Sequence, residues 1–280
     1  MTYILYNPLA NGGNGTAGVG KVQAAYQAEK PETLDITKLE LREFFSGLTA
    51  EDKVILCGGD GTINFLTNAI DGVEVLADLQ MWRFGTGNDF LRDVSGKHGS
   101  QTVPLNGYIQ NLPYAEMQGR RIRFINNCCC GMDGLVCEMG EAAKRKRKKG
   151  RMSYTWLALR AILHDYHCVN AKVTVDGVTR EYEKVWMASV LNGRYIGGGM
   201  MLAPNQDRMS DMLCSFVWHG TGRIMTVIRL LRVFGGTHVK YKDMCDIRFG
   251  RNIEVELSEP VAVNLDGEVV SGVRRYTAHK

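Results

Sequence analysis

Residues 54–64 read VILCGGDGTIN. Val54, Ile55 and Leu56 form an apolar run short enough for a strand buried on both faces. Two glycines end it, and Asp60, Gly61 and Thr62 lead into TINFLTNAI, which has helical spacing. Strand, glycine turn and helix in that order form the unit of a parallel α/β sheet, whose ligands gather at the carboxyl ends of the strands. Glycine there lets a backbone lie against a phosphate, and Thr62 is placed to cap the helix. Asp60 is a costly charge at such an edge unless it meets a cation, and beside phosphates that cation is Mg2+.

The unit recurs. TYILYN opens the chain as a strand, followed by a Gly/Asn loop and the helix-compatible GKVQAAYQAEK. VEVLADLQMWRFG ends in a second glycine turn, FGTGNDF at residues 84–90, before a helical NDFLRDV. Two such loops on one sheet converge on one crevice. Two other motifs are weaker. Residues 13–18, GNGTAG, match G-x-G-x-x-G with Asp35 roughly placed for a ribose, a pattern of low specificity in a chain with 32 glycines. GTAGVGKV mimics a P-loop but puts Val22 where a magnesium-binding hydroxyl belongs, so that reading fails.

After about residue 120 the texture changes. RRIRFINNCCCG reads as one strand, SYTWLALRAILHD as a helix, and short strands dominate from there, interrupted by the amphipathic TGRIMTVIRLLRVFGG. A second, mainly antiparallel domain is expected. The 280 residues suffice for two ordinary domains. The net charge of +4 is local: residues 144–151, KRKRKKGR, carry seven cations, and without them 27 basic residues face 30 acidic ones. Such a run attracts phosphates on nucleic acid or an anionic membrane, or is simply a solvated loop. The eight cysteines show no paired framework and no C-x-x-C, which fits buried thiols in a reducing cytosol. No basic leader is seen, and no apolar stretch nears the ~20 residues that span a bilayer. A soluble, cytoplasmic protein is expected.

NPLANGGNG at 7–15, GGDGTINFLTNAI at 58–70 and FGTGNDFLRDV at 84–94 together resemble the diacylglycerol kinase catalytic-domain family of soluble bacterial lipid kinases, related to sphingosine and ceramide kinases. INNCCCGMDGLV, NGRYIGGGMMLAPNQD and VNLDGEVV fall where that family has related segments. The resemblance implies a Rossmann-like nucleotide-binding domain with a parallel sheet at 1–119. It implies an antiparallel β-sandwich-like lipid-binding domain at 120–273, with residues 274–280 a candidate to return to the first. It also implies ATP and Mg2+, with Asn7, Gly59, Asp60, Gly61, Thr62 and Asn64 around the nucleotide phosphates and Thr86, Asn88 and Asp89 as a second wall. Its late DGE supplies catalytic carboxylates, so Asp266 or Glu268 is expected to accept the proton of a lipid hydroxyl, with Asp60 at the metal–phosphate centre. Read from the residues alone, NLDGEVV is an ordinary Asp-Gly hairpin, and VTVDGVTR around Asp176 has the same pattern with no claim to chemistry.

Three departures stand out. Phe65 replaces a usual Glu, WRF replaces a Pro-containing turn before GTGND, and APNQDRMSDMLC leaves Asp211 as a weak remnant of a metal site. The leading expectation is an ATP-dependent kinase of diacylglycerol or a related lipid alcohol. It would meet an anionic membrane surface transiently as a peripheral protein, with no nucleic acid partner and a homodimer allowed. The competing readings are an NAD-kinase-like phosphotransferase, which shares GGDGT, and a non-catalytic lipid- or nucleotide-binding regulator.

Overall fold

The computed structural model describes residues 1–13, 15–84, 88–95, 101–146 and 154–280. Two units divide the chain, Met1–Leu112 and Pro113–Lys280. The first holds β1 (Thr2–Tyr6), β2 (Glu32–Asp35), β3 (Lys53–Gly58), β4 (Asp78–Arg83) and β5 (Thr102–Pro104) in the order β2-β1-β3-β4-β5. The first four run parallel, as the strand–loop–helix repeats require, and β5 closes the edge antiparallel to β4. Val54, Ile55 and Leu56 are fully buried at its centre, with Ile4 and Leu5 beside them on β1. After β1 the chain moves to one side to make β2 and returns to the other side as β3. The strand order therefore reverses between β1 and β3, where open α/β sheets form their crevice.

The second unit is antiparallel throughout. Its strands are β6 (Tyr114–Met117), β7 (Arg120–Arg123), β8 (Asn127–Gly131), β9 (Val169–Val175), β10 (Val178–Val185), β11 (Met187–Leu191), β12 (Tyr195–Ile196), β13 (Met200–Met201), β14 (Leu213–Trp218), β15 (Cys245–Gly250), β16 (Asn252–Leu265) and β17 (Glu268–His279). The main path is β15-β14-β11-β8-β16-β17-β6-β7, with β9 and β10 joined to β16 and β12–β13 a separate small ribbon. β16 serves two layers. Ile253 to Leu257 pair with β9, and Val263 to Leu265 pair with β8. Between them the register with β17 shifts, in a stretch holding Pro260, which has no N–H to give a ladder.

β8 shows how both faces are used. Cys128 and Cys130 point into the sandwich core with Val173, Val190, Val255 and Tyr276. Cys129 points the other way, against Met132, Val136, Leu157 and Ile162 of the covering helices. A strand covered on both faces reads as continuously apolar, which is why CCC carries no alternation. The expected single strand RRIRFINNCCCG is two strands, β7 and β8, and the boundary expected at 119 falls at 112 because the β6–β7 hairpin pairs with β17. Residues 274–280 do not return to the first unit. Through His279 they complete β17, opposite Asn252 of β16 and Tyr114 of β6.

All eight cysteines are free thiols, and only Cys137 and Cys168 are partly exposed. Burial pushes the thiols of Cys57, Cys130, Cys214 and Cys245 up to about 12. A thiol-titrating disulfide reagent at pH 8 is expected to label Cys137 and Cys168 in the native protein and the other six only after denaturation. Rapid labelling within the CCC run would contradict this packing.

Candidate active site

Three strand ends of the first unit carry the glycine-loop residues. At the end of β1, the Asn7 side chain accepts the Leu9 N–H at 2.9 Å and its carbonyl accepts the Ala10 N–H at 3.1 Å, turning the chain. At the end of β3, the helix Asp60–Ala69 starts after Gly59 with no side-chain cap. Thr62 is not the cap expected from the sequence. It lies inside the first turn and is buried, and a Cβ on Gly58 would stand 2.2 Å from its Oγ1. A Cβ on Gly59 would come within 2.9 Å of Asn88 Oδ1, so this glycine lets the two loops close on each other.

Asp60 joins them. Its carboxylate accepts the backbone N–H of Asp89 at 2.8 Å and of Phe90 at 3.3 Å, capping the helix Asp89–Ser95 from a neighbouring strand end. A carboxylate at a helix N-terminus is favoured by the dipole and by the unpaired N–H groups of the first turn. The charge expected to need a metal is thus met by backbone donors. Asn88 closes its loop by donating to Phe84 O at 3.1 Å, and Phe84 fills the space beside Gly18, where a Cβ would stand 1.8 Å from the ring. Asn64 is buried one turn into its helix and pairs with Asn68. Asp35 binds Thr37 in a turn, and Thr86 lies outside the described residues.

Removing the Asp60 carboxylate leaves two donors at a helix start without this acceptor, at about 1–3 kcal/mol. Asp60→Ala is expected to lower the unfolding free energy by that amount in a denaturant melt, whereas Asp211→Ala stays within about 0.5 kcal/mol of wild type.

In the second unit Asp266 and Gly267 form a two-residue hairpin turn with φ of +49° and +97°. Asp176 and Gly177 repeat it at +45° and +83°. Both aspartates accept backbone N–H groups of an adjoining segment. Asp176 takes those of Arg251 and Asn252, and Asp266 takes three: Ile125, Asn126 at 3.0 Å and Asn127 at 2.9 Å. The surroundings separate them. Around Asp266 the buried Arg208 guanidinium donates to Ile125 O and to Asn126 Oδ1, and the Asn192 amide donates to Ile125 O. Lys280 donates to Asn192 Oδ1 and Arg208 O, both at 2.7 Å. On the helix-covered face Asn264 donates to Asp133 at 2.7 Å and accepts the Gly267 N–H.

Glu268 faces away, half exposed and paired with Arg120 at 3.0 Å. Asp211 is paired with Arg251 at 2.8 Å, and among the described residues no three His, Cys, Asp or Glu side chains are grouped to hold a metal. Arg208, Asn192, Asn126, Asn264 and Lys280 escaped notice as site residues in the sequence. For the asparagines the signal was a polar residue beside or within an apolar strand, as in INNCCC, ASVLNG and VAVNL, whereas Arg208 and Lys280 carried none.

Burial lowers Lys280 from its ordinary 10.5 to about 8, with the neighbouring Arg208 charge adding to the effect. The folded chain releases this proton near pH 8 and the unfolded chain holds it to about 10.5. Unfolding therefore takes up a proton between those values, and stability rises with pH across the window. Lys280→Met is expected to flatten that rise in thermal melts between pH 8 and 10.

Residues 1–111 match the family described as the diacylglycerol kinase catalytic domain. Residues 126–276 match the YegS C-terminal NAD kinase beta sandwich-like domain. The chain belongs to the lipid kinase family in which these two domains follow one another. It is 24% identical over 268 residues to the diacylglycerol kinase of Mycobacterium tuberculosis, covering 90% of this chain and 84% of that protein. To the diacylglycerol kinase of Bacillus subtilis it is 25% identical over 236 residues, 81% of this chain and 72% of that one. The crystal structure of a diacylglycerol kinase from Bacillus anthracis has the same fold, with a TM-score of 0.68 and 22% identity over 99% of this chain and 93% of that one.

Proposed function

We propose that this protein is an ATP-dependent lipid kinase that transfers the γ-phosphate to the hydroxyl of diacylglycerol or a related lipid alcohol. The observation that carries the reading is the Asp60 clamp, which draws two glycine loops together beside the strand-order reversal of a parallel sheet. The residues fit a nucleotide triphosphate: the ten-residue helix Asp60–Ala69 has no side-chain cap, and a Cβ on Gly61 would meet nothing within 4 Å. Mg2+ asks little of the protein here, because it keeps several waters and binds substrate phosphates with one or two carboxylates.

ATP with Mg2+ would supply the phosphoryl group and offset its charge. Gly59, Gly61 and Asn7 belong to the loops that would hold the phosphates, with Thr62 and Asn64 supporting the helix beneath. Asn88 and Asp89 stand opposite, at the start of the helix Asp89–Ser95. Asp60 acts as a positioning residue, fixing that helix start to the first loop.

Of the two carboxylates considered for the hydroxyl proton, we retain Asp266 and set Glu268 aside. Asp266 is half-buried and holds the segment Ile125–Asn127, to which Asn192 and Arg208 also bind and behind which Lys280 sits, whereas Glu268 forms a solvent-facing ion pair. Three backbone N–H groups hold the Asp266 carboxylate in place. A loose phosphoryl-transfer transition state asks more of positioning than of base strength. The enzyme is proposed to work from the cytoplasm at a membrane surface.

Transfer of radiolabelled γ-phosphate to a panel of detergent-solubilised lipid alcohols, with NAD as control acceptor, tests this. Label in the organic phase is expected, and label on NAD alone would overturn the lipid assignment. Asp266→Asn is expected to lose roughly a hundredfold or more in turnover, on the scale of general-base removal. Glu268→Gln stays near wild type, and the reverse pattern would exchange the two roles.

A further inference from the structure

Among its described residues the second unit leaves an apolar surface exposed. The helix Tyr154–Arg160 continues as a π-helical turn to Asp165, and the helix Arg223–Leu230 continues as a 3-10 turn to Gly235. Their inner faces, with Leu157, Ile162, Val227 and Val233, pack on the sheet. Arg223 ties the two together by donating to Ile162 O and Tyr166 O. The outer faces are also apolar: Trp156 is 56% exposed, Leu159 43%, Ile224 74%, Ile228 56%, Leu231 72% and Phe234 55%. A surface helix with one face on a core normally turns polar residues to water. Here Ile224, Ile228 and Leu231 recur at i, i+4 and i+7 on the water side, so the exposure is patterned rather than scattered.

Charge selects what covers it. Segments 142–164 and 219–242, which hold these residues, contain thirteen Lys and Arg and not one Asp or Glu. Seven of the cations lie at residues 144–151, and Arg151 is three residues from the start of the helix at Tyr154, a reach of about 10 Å. The flanking acids Asp165 and Asp243 are already paired with Arg160 and Arg229. A second copy seated on the same face would bring cations against cations, since a two-fold interface sets a patch against itself. An anionic bilayer complements both the charge and the apolar ridge.

We propose that the helices Tyr154–Asp165 and Arg223–Gly235 form the docking surface of this protein for an anionic bilayer, with Ile224, Ile228 and Leu231 entering the interface. The proposal rests on the lipid-kinase reading for its purpose and is tested apart from it. Flotation of the full chain is measured without nucleotide, on phosphatidylcholine vesicles with and without phosphatidylglycerol. Binding is expected only with phosphatidylglycerol and is expected to weaken as salt is raised. Ile228→Asp and Leu231→Asp should each weaken it about tenfold, the scale of one lost apolar side chain. Both should keep the wild-type melting midpoint and wild-type transfer to detergent-solubilised acceptor. If either melts early, Ile228→Ser and Leu231→Ser replace them.

Undiminished flotation of the double variant, equal flotation on phosphatidylcholine alone, or none by wild type overturns the proposal. So does a wild-type dimer in sedimentation that the double variant converts to monomer. Flotation with no transfer in detergent would overturn the kinase reading and leave the docking surface standing.

Discussion

Backbone N–H groups that leave a strand or begin a helix must find acceptors when water is excluded. This chain meets that demand with a carboxylate in each of its two units. Asp60 takes the first two N–H groups of the helix Asp89–Ser95, and Asp266 takes three in a row where the chain enters β8. Both are aspartates in glycine-flanked turns, where a short side chain and a permissive neighbour bring the carboxylate close to foreign backbone. The same pairing at Asp176 serves only a surface hairpin. What distinguishes a site from a scaffold here is the company of the carboxylate and not the turn itself.

The polar cluster around Asp266 depends in turn on the two-layer use of β16. Its first half belongs to one layer and its second to the other, so the β16–β17 turn is delivered to the end of β8 beside Asn126 and Asn127. The alternation of Cys128, Cys129 and Cys130 between two cores holds β8 in register. A one-residue slip would turn Asn127 into the sandwich interior and put every neighbour on the wrong face. Burial also disposes of six of the eight thiols that the composition alone left open to other chemistry.

The exposed ridge of the second unit follows from the same economy of layers. The helices Tyr154–Arg160 and Arg223–Leu230 complete the sheet's outer cover with their inward faces, and among the described residues their outward apolar side chains stay exposed. An apolar outward face there has no structural use within the unit. Among the described residues no helix is long and apolar enough to cross a membrane, so this face reads as a contact surface and not a span.

The sequence by itself determined most of the local units: the strand runs apart from RRIRFINNCCCG, which is two, the glycine loops that follow them, and that a parallel sheet precedes an antiparallel one. Periodicity and glycine chemistry act within a few residues and can be read there. The motif set that resembled lipid kinases was equally local, and the family matches bear it out. The tertiary structure alone decided what Asp60 and Asp266 bind, because their partners lie 29 and about 140 residues away and are chosen by which strand ends pack together. It also gave Asp266 and Asp176, which the pattern D-G leaves alike, different surroundings. Thr62, expected as a cap, is buried because the helix begins two residues earlier than its apolar pattern announces. Arg208 and Lys280 were silent for the same reason: a polar side chain gains its role from neighbours that only folding supplies.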